Sequence, residues 1–150
     1  MKNSLKLFLL IFTVTTATCL SQQKTNLEFL KSKEEKKKDL PFSDAVRVGN
    51  TLYLAGQIGM DHSVRKLVTG GIKAETTQAL NNIKSVLEAN GSDLSHVVKC
   101  TVILSDIKNF GAMNEIYKTF FKDNFPARTT FAANLVAGAS IEIECIAVVK

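Results

Sequence analysis

The chain has no tryptophan, only two prolines, two histidines and three cysteines. The histidines stand at 62 and 96 and the cysteines at 19, 100 and 145, too few and too scattered for a multi-ligand His/Cys metal centre. No apolar run reaches the roughly 20 residues that a bilayer crossing needs; the longest, Leu7–Val14, stops well short. A phosphate loop is missing too, because Gly56–Gly59 is followed by neither a helix nor a lysine. The folded part has almost no excess of charge of one sign. Residues 1–21 carry two lysines and no acid, 22–40 six lysines against four acids, and 41–150 eleven basic against ten acidic residues. The net charge of +5 therefore splits as +2, +2 and +1. A nucleic-acid grip needs clustered cations, and this domain has none in sequence. What is present suffices for one ordinary domain: 150 residues, 45% hydrophobic and 22% charged.

Residues 1–20 read as a secretory signal peptide: Lys2 and Lys6, the apolar run Leu7–Val14, then the small polar exit Thr15–Cys19. Cys19 follows small residues, as the acylated cysteine of a bacterial lipoprotein does, although Thr16 stands where Leu is usual. The alternatives are a retained anchor and ordinary cleavage that leaves a soluble exported protein. The expected location is extracytoplasmic, with membrane attachment only through a lipidated Cys19. Residues 21–40 are expected to be a linker with a first strand at Asn26–Leu30, and 41–150 the domain proper. Cys100 and Cys145 both lie in apolar runs, as two buried small hydrophobes or as a disulfide.

Ala45–Val48 and Leu52–Leu54 alternate around Gly49-Asn50, which predicts a tight hairpin. Two glycines in Ala55–Gly59 mark a strand end where backbone approaches another group, and Asp61–Gly71 reads as a loop. Ala79, Leu80, Ile83, Val86 and Leu87 give a helix over Ala74–Asn90, stopped by Gly91. Val97–Leu104 is apolar on both faces and so a central strand. Ser105–Asp106 or Asn109 caps a second helix with the stripe Phe110, Met113, Tyr117, Phe120 and Phe121. Thr129–Ala133 and Ser140–Val149 finish as strands. The order predicts an α+β fold, one sheet with two helices on one face. The uncovered face then calls for a second copy of the chain.

Two places break local rules. Arg128 enters a strand directly after Pro126-Ala127, on a stiffened backbone. It reads either as a forked clamp for a carboxylate or as a surface arginine. In Ile141–Val148, Glu142 and Glu144 share a face with Ile146 and Val148. Either one of these two carboxylates reads as a half-buried proton acceptor, or the pair reads as a sheet edge exposed at one end. Asn114, one turn after Phe110 on the apolar stripe, is an interface amide or a ligand contact.

The strings PFSDAVRVGNTLYLAGQIGMD, QALNNIKSVLEANGSDLSHVVKCTVILSD, NFGAMNEIYKTFFKDNFPARTTF and IEIECIAVV resemble, in order, the RidA family (also called YjgF/YER057c/UK114), the reactive-intermediate deaminases. The diagnostic part is Pro-Ala-Arg-Thr with a later Glu-Ile-Glu. The resemblance implies a chorismate-mutase-like fold and a homotrimer with a central barrel and clefts between subunits. It implies hydrolysis of 2-imino acids or their enamine tautomers to 2-oxo acids and ammonia, with no metal or organic cofactor. Arg128 and Glu142 match the family's catalytic positions, and Phe42, Ala55, Gly56, Gln57, Asn114 and Thr130 match positions around the cleft. Several deaminating members carry Tyr at the position of Phe42, Ser at Ala55, Cys at Thr130 and Pro at Val136. The expected partners are small imino or keto acids and further copies of the chain, not nucleic acid. Competing readings are a non-catalytic exported trimer that binds small carboxylates or acts as a holdase, and an RNA-acting member.

Overall fold

The computed structural model describes residues 26–32, 39–122 and 124–150. The expected signal peptide with Cys19, and the charged part of the linker, lie outside the described residues. Among those described, no helix is long and apolar enough to cross a membrane. The strands are β1 (Leu27–Leu30), β2 (Ala45–Val48), β3 (Thr51–Leu54), β4 (Gln57–Ile58), β5 (Met60–Asp61), β6 (Lys66–Leu67), β7 (Val97–Leu104), β8 (Ala127–Ala132) and β9 (Ile141–Val148); the helices are α1 (Gly71–Ala89) and α2 (Phe110–Phe120). One mixed sheet runs β1-β2-β3-β9-β7-β8, with β4 joined to β9. All its pairings are antiparallel except β7 with β8. The expected α+β architecture is found.

The β2–β3 hairpin turns at Gly49, whose φ of +59° an unbranched backbone takes at little cost. Asp106 starts the path into α2 as expected: its side chain accepts from Lys108 N and caps a short 3₁₀ turn over Ile107–Asn109. Three boundaries differ from the sequence reading. Helix α1 starts at Gly71, three residues before Ala74, because Ile72 packs on the core and tertiary contact outweighs the poor helix propensity of glycine. The Asp61–Gly71 loop holds a small hairpin of β5 and β6, tied by Asp61, which accepts from Ser63 N and Oγ; strands of two residues leave no alternation to read. The strand carrying Arg128 begins two residues early, at Ala127.

Leu52, Cys100, Val102, Leu104, Ile141, Ile143, Cys145 and Ala147 point from the sheet into one core with Ala79, Leu80, Ile83, Leu87, Met113 and Tyr117 of the helices. The other face has no covering layer among the described residues. It carries Phe29, Tyr53, Ile146, Ile103 and Phe131, with Phe29 66% exposed, a fraction far above that of any core residue.

A clasp closes the C-terminal end. Lys150 Nζ lies 2.6 Å from Asp93 Oδ2, and Asp93 Oδ1 lies 2.9 Å from His96 Nδ1. Hydrogen bonds from His96 first, then Lys150 and Ser95, hold the Asp93 carboxyl far below its ordinary 3.8. A carboxyl with a lowered folded pKa adds stability that is complete above the unfolded value and lost as pH falls below it. In thermal melts, Asp93→Asn is expected to be less stable than wild type at pH 7 and to lose less on going from about pH 4 to about pH 2. Parallel curves for the two proteins would remove Asp93 from the acid response.

Candidate functional site

The described residues form two small cavities that divide most of the expected site residues between them. The first, about 310 Å³, is lined by Phe42, Gly56, Gln57, His62, Arg65, Val136 and Glu142, among others. The second, about 280 Å³, is lined by Asn114, Tyr117, Lys118, Phe125, Pro126 and Arg128. A larger polar groove of about 620 Å³, bordered by Asp61, Gln78 and Asn82, holds none of them.

Glu142 is positioned from both sides. Two residues upstream, Ser140 donates its N–H and hydroxyl to the buried Glu75 carboxylate of α1, at 2.7 and 2.6 Å. This pins the entry of β9. Opposite, Asn82 of α1 donates to the carbonyls of Ile58 and Met60 at 3.2 and 2.9 Å, and Ala55 N donates to Asp44 O at 2.9 Å. Together they hold the segment that passes Glu142, and Ile58 is Glu142's register partner. A Cβ on Gly56 would overlap the Glu142 carboxylate. The glycine is what lets the half-buried acid lie flat against the backbone, beside Gln57 and the apolar ring of Phe42. Gln57 is buried, and its Oε1 lies 3.4 Å from His62 Nε2.

Arg128 stands on the opposite side of the sheet. It pairs in register with Cys100, so it points toward the helices. Its guanidinium carbon lies 4.6 Å from the Tyr117 ring centroid and 5.6 Å from that of Phe110, and Nη1 approaches Met113 Sδ at 3.9 Å. Among the described residues no carboxylate forms an ion pair with it. Stacking on aromatic faces gives about 0.5–2 kcal/mol, while a forked carboxylate would add two charge-assisted hydrogen bonds. The cation is thus oriented and still open to an anion. Burial pushes the Tyr117 phenol well above its usual range, so the ring stays neutral beneath the cation.

The two expected catalytic residues do not meet within one chain. On β7, Glu142 is opposite Ile103 and Arg128 is opposite Cys100, three residues apart, which is roughly 10 Å along a strand, and they face opposite sides. Asn114 does join Arg128, while Phe42, Gly56 and Gln57 join Glu142. Ala55 and Thr130 line neither cavity. Thr130 points to the helix side, with its hydroxyl buried and unbonded. The sequence reading passed over Glu75 and Asn82. Their signal was available: both are polar residues on the buried stripe of α1, in step with Ala79 and Val86.

Residues 34–149 match the family described as Endoribonuclease L-PSP. The chain is 51% identical over 109 residues to the human protein named 2-iminobutanoate/2-iminopropanoate deaminase, a match covering 72% of this chain and 80% of that one. Among solved structures, the yeast protein YEO7 is 35% identical with a TM-score of 0.77, covering 83% of this chain and 100% of its own. RidA from the Antarctic bacterium Psychrobacter is 34% identical with a TM-score of 0.75, covering 81% and 99%.

Two glycines near the site should respond differently to a methyl group. At Gly56 the obstacle is the mobile end of Glu142, whereas at Gly59 it is the Glu75 backbone, 2.5 Å from a built Cβ. Gly59→Ala is expected to cost about 1–3 kcal/mol in urea unfolding and Gly56→Ala less than about 1 kcal/mol, with the Glu142 carboxylate displaced in a crystal structure of the latter. Equal costs would show that the carboxylate is fixed as firmly as the helix.

Proposed function

We propose that this chain, which belongs to the Endoribonuclease L-PSP family, hydrolyses small 2-imino acids to 2-oxo acids and ammonia in a cleft between two copies of itself. The observation that carries the reading is Arg128: an arginine laid on aromatic rings, with no carboxylate partner among the described residues, beside a cavity of about 280 Å³ that has room for a small acid. The name of the human relative supports the imine as substrate.

In this reading Arg128 of one copy takes the substrate carboxylate with its fork, and Asn114 flanks it. Glu142 of the neighbouring copy accepts a proton from a water molecule, and the water oxygen bonds to the C=N carbon. Glu142 then returns the proton to nitrogen. Glu142 next takes the carbinol O–H proton and passes it to the nitrogen as the C–N bond breaks, so that ammonia leaves and the carbinol oxygen becomes the carbonyl of the 2-oxo acid. Phe42 lines the Glu142 cavity with a ring where several family members have a hydroxyl. A general base supplies typically about 10²–10⁴-fold, and fixed geometry adds to that.

In this reading a second copy completes the cleft, because the registers of β8 and β9 on β7 turn the two residues to opposite faces. The uncovered face, with Phe29, Tyr53 and Phe131 exposed, supports self-association over a monomer, and the family resemblance favours a trimer. The near-neutral domain supports a small acid over RNA as the ligand.

The test uses 2-iminopropanoate released by a dehydratase, with semicarbazide competing for the imine. Wild type is expected to outrun buffer, Glu142→Gln to lose about 10²–10⁴-fold in kcat, and Arg128→Ala to lose mainly through KM. Wild type no faster than buffer would end the enzymatic reading. Unfolding the two variants together, then refolding them as a one-to-one mixture assayed far below the KM of Arg128→Ala, tests the shared cleft. About a quarter of the clefts then draw a sound Arg128 and a sound Glu142 from different copies, and activity should return to that level. No recovery from a refolded mixture would place both residues' work within one chain.

A further inference from the structure

Cys100 and Cys145 take no part in the proposed reaction, yet they occupy the centre of the sheet. Cys100 is on β7 and Cys145 on β9, and they are direct register partners. Their sulfurs are 2.7 Å apart, and both residues are buried. Opposed residues on antiparallel strands hold their Cα atoms roughly 4.5–5.5 Å apart, inside the roughly 4.4–6.8 Å that a disulfide spans. The side chains point to the same face, so no backbone movement is needed to join them.

We infer that Cys100 and Cys145 are a modification site: a reversible disulfide that staples the two central strands together beneath Arg128, formed by exchange with a low-molecular-weight disulfide of the glutathione class. The Cys100 thiolate attacks one sulfur of that disulfide and a thiolate leaves. Cys145 gives up its proton and attacks the Cys100 sulfur, and the second thiolate leaves. Two electrons and two protons pass from the protein to the oxidant, which ends as two thiols. Cys100 is the attacking member of the pair. In the closed fold its contact with Cys145, and after that the Tyr117 hydroxyl and the Arg128 cation, lower its pKa; Arg128 on β8 stays beside β7 when β9 lifts and keeps favouring the Cys100 thiolate. Both sulfurs are sealed in the finished fold, so exchange takes place while β9 is docking or transiently open. Reduction of the finished protein is slow for the same reason.

The bond would close a long loop, since 45 positions separate the two residues. Long loops gain most from cross-linking in the chain-entropy account. The contrasting role is that of two small hydrophobes filling a gap, and the experiment separates the two.

Full-length protein is refolded with oxidised glutathione or with a reductant, exposed thiols are blocked after unfolding, and trypsin is added without reduction. Cleavage after Lys99 and Arg128 releases the peptides Cys100–Lys108 and Thr129–Lys150. The expected product of the oxidised sample is these two peptides joined, lighter by two hydrogens than their sum. The oxidised protein should also melt higher than the reduced one by roughly 5–10 °C, and Cys145→Ala should lose that difference. Recovery of both peptides with blocked thiols overturns the inference, and so does Cys100 joined only to Cys19, to glutathione or to another chain. The peptide result is read on wild type, so it stands even if the variant does not fold.

Discussion

Side chains along β9 point alternately into the helices and away from them. Ile141, Ile143, Cys145 and Ala147 go inward and are fully or almost fully buried, while Glu142 and Ile146 stay half-buried on the other side. The strand cannot slip by one residue without driving two glutamates into the core. The same two-residue period that secures the core therefore fixes the proposed proton acceptor on the open face. Arg128, on the edge strand β8, obeys that period from the other side: its partner Cys100 faces the helices, and so does the guanidinium. Separation of the two groups follows from the packing, and the proposed shared cleft rests on that separation.

The supports around the site are polar but local. Glu75 receives two hydrogen bonds from Ser140, and Asn82 donates two to the chain beside Glu142. A buried carboxylate would be expensive alone, and here its oxygens meet donors on the segment that must be held still. Helix α1 thus acts as a jig. Its backbone lies against Gly59, just past β4, and its polar groups fix the chain on both sides of the acid. Arg128 is held differently, by ring faces that orient a cation without consuming its hydrogen-bond donors.

Much of this was legible in the residues. Alternation placed β2, β3, β7 and β9 within a residue or so, and the helical stripes identified α1 and α2. Arg128 and Glu142 stood out because each broke the pattern around it. The sides they face were half-legible: the period of β9 put Glu142 opposite Cys145, but whether Arg128 shared its side depended on the β7–β8 register, which no local pattern encodes. The meeting of Cys100 and Cys145 was hidden for the same reason. Thr130 and Ala55 came from family resemblance alone, and a matched position does not reveal that a hydroxyl is turned into the core.

The position of β9 in the sheet also bears on how the protein is made. It lies between β3 and β7, in the middle, yet it follows both of them in sequence. A ribosome delivers it after both, when the hairpin of β2 and β3 and the β7–β8 pair have already emerged without the strand that lies between them. The two sides of the sheet therefore wait, apolar, for β9. An early stop codon would cost this fold its keystone rather than its fringe.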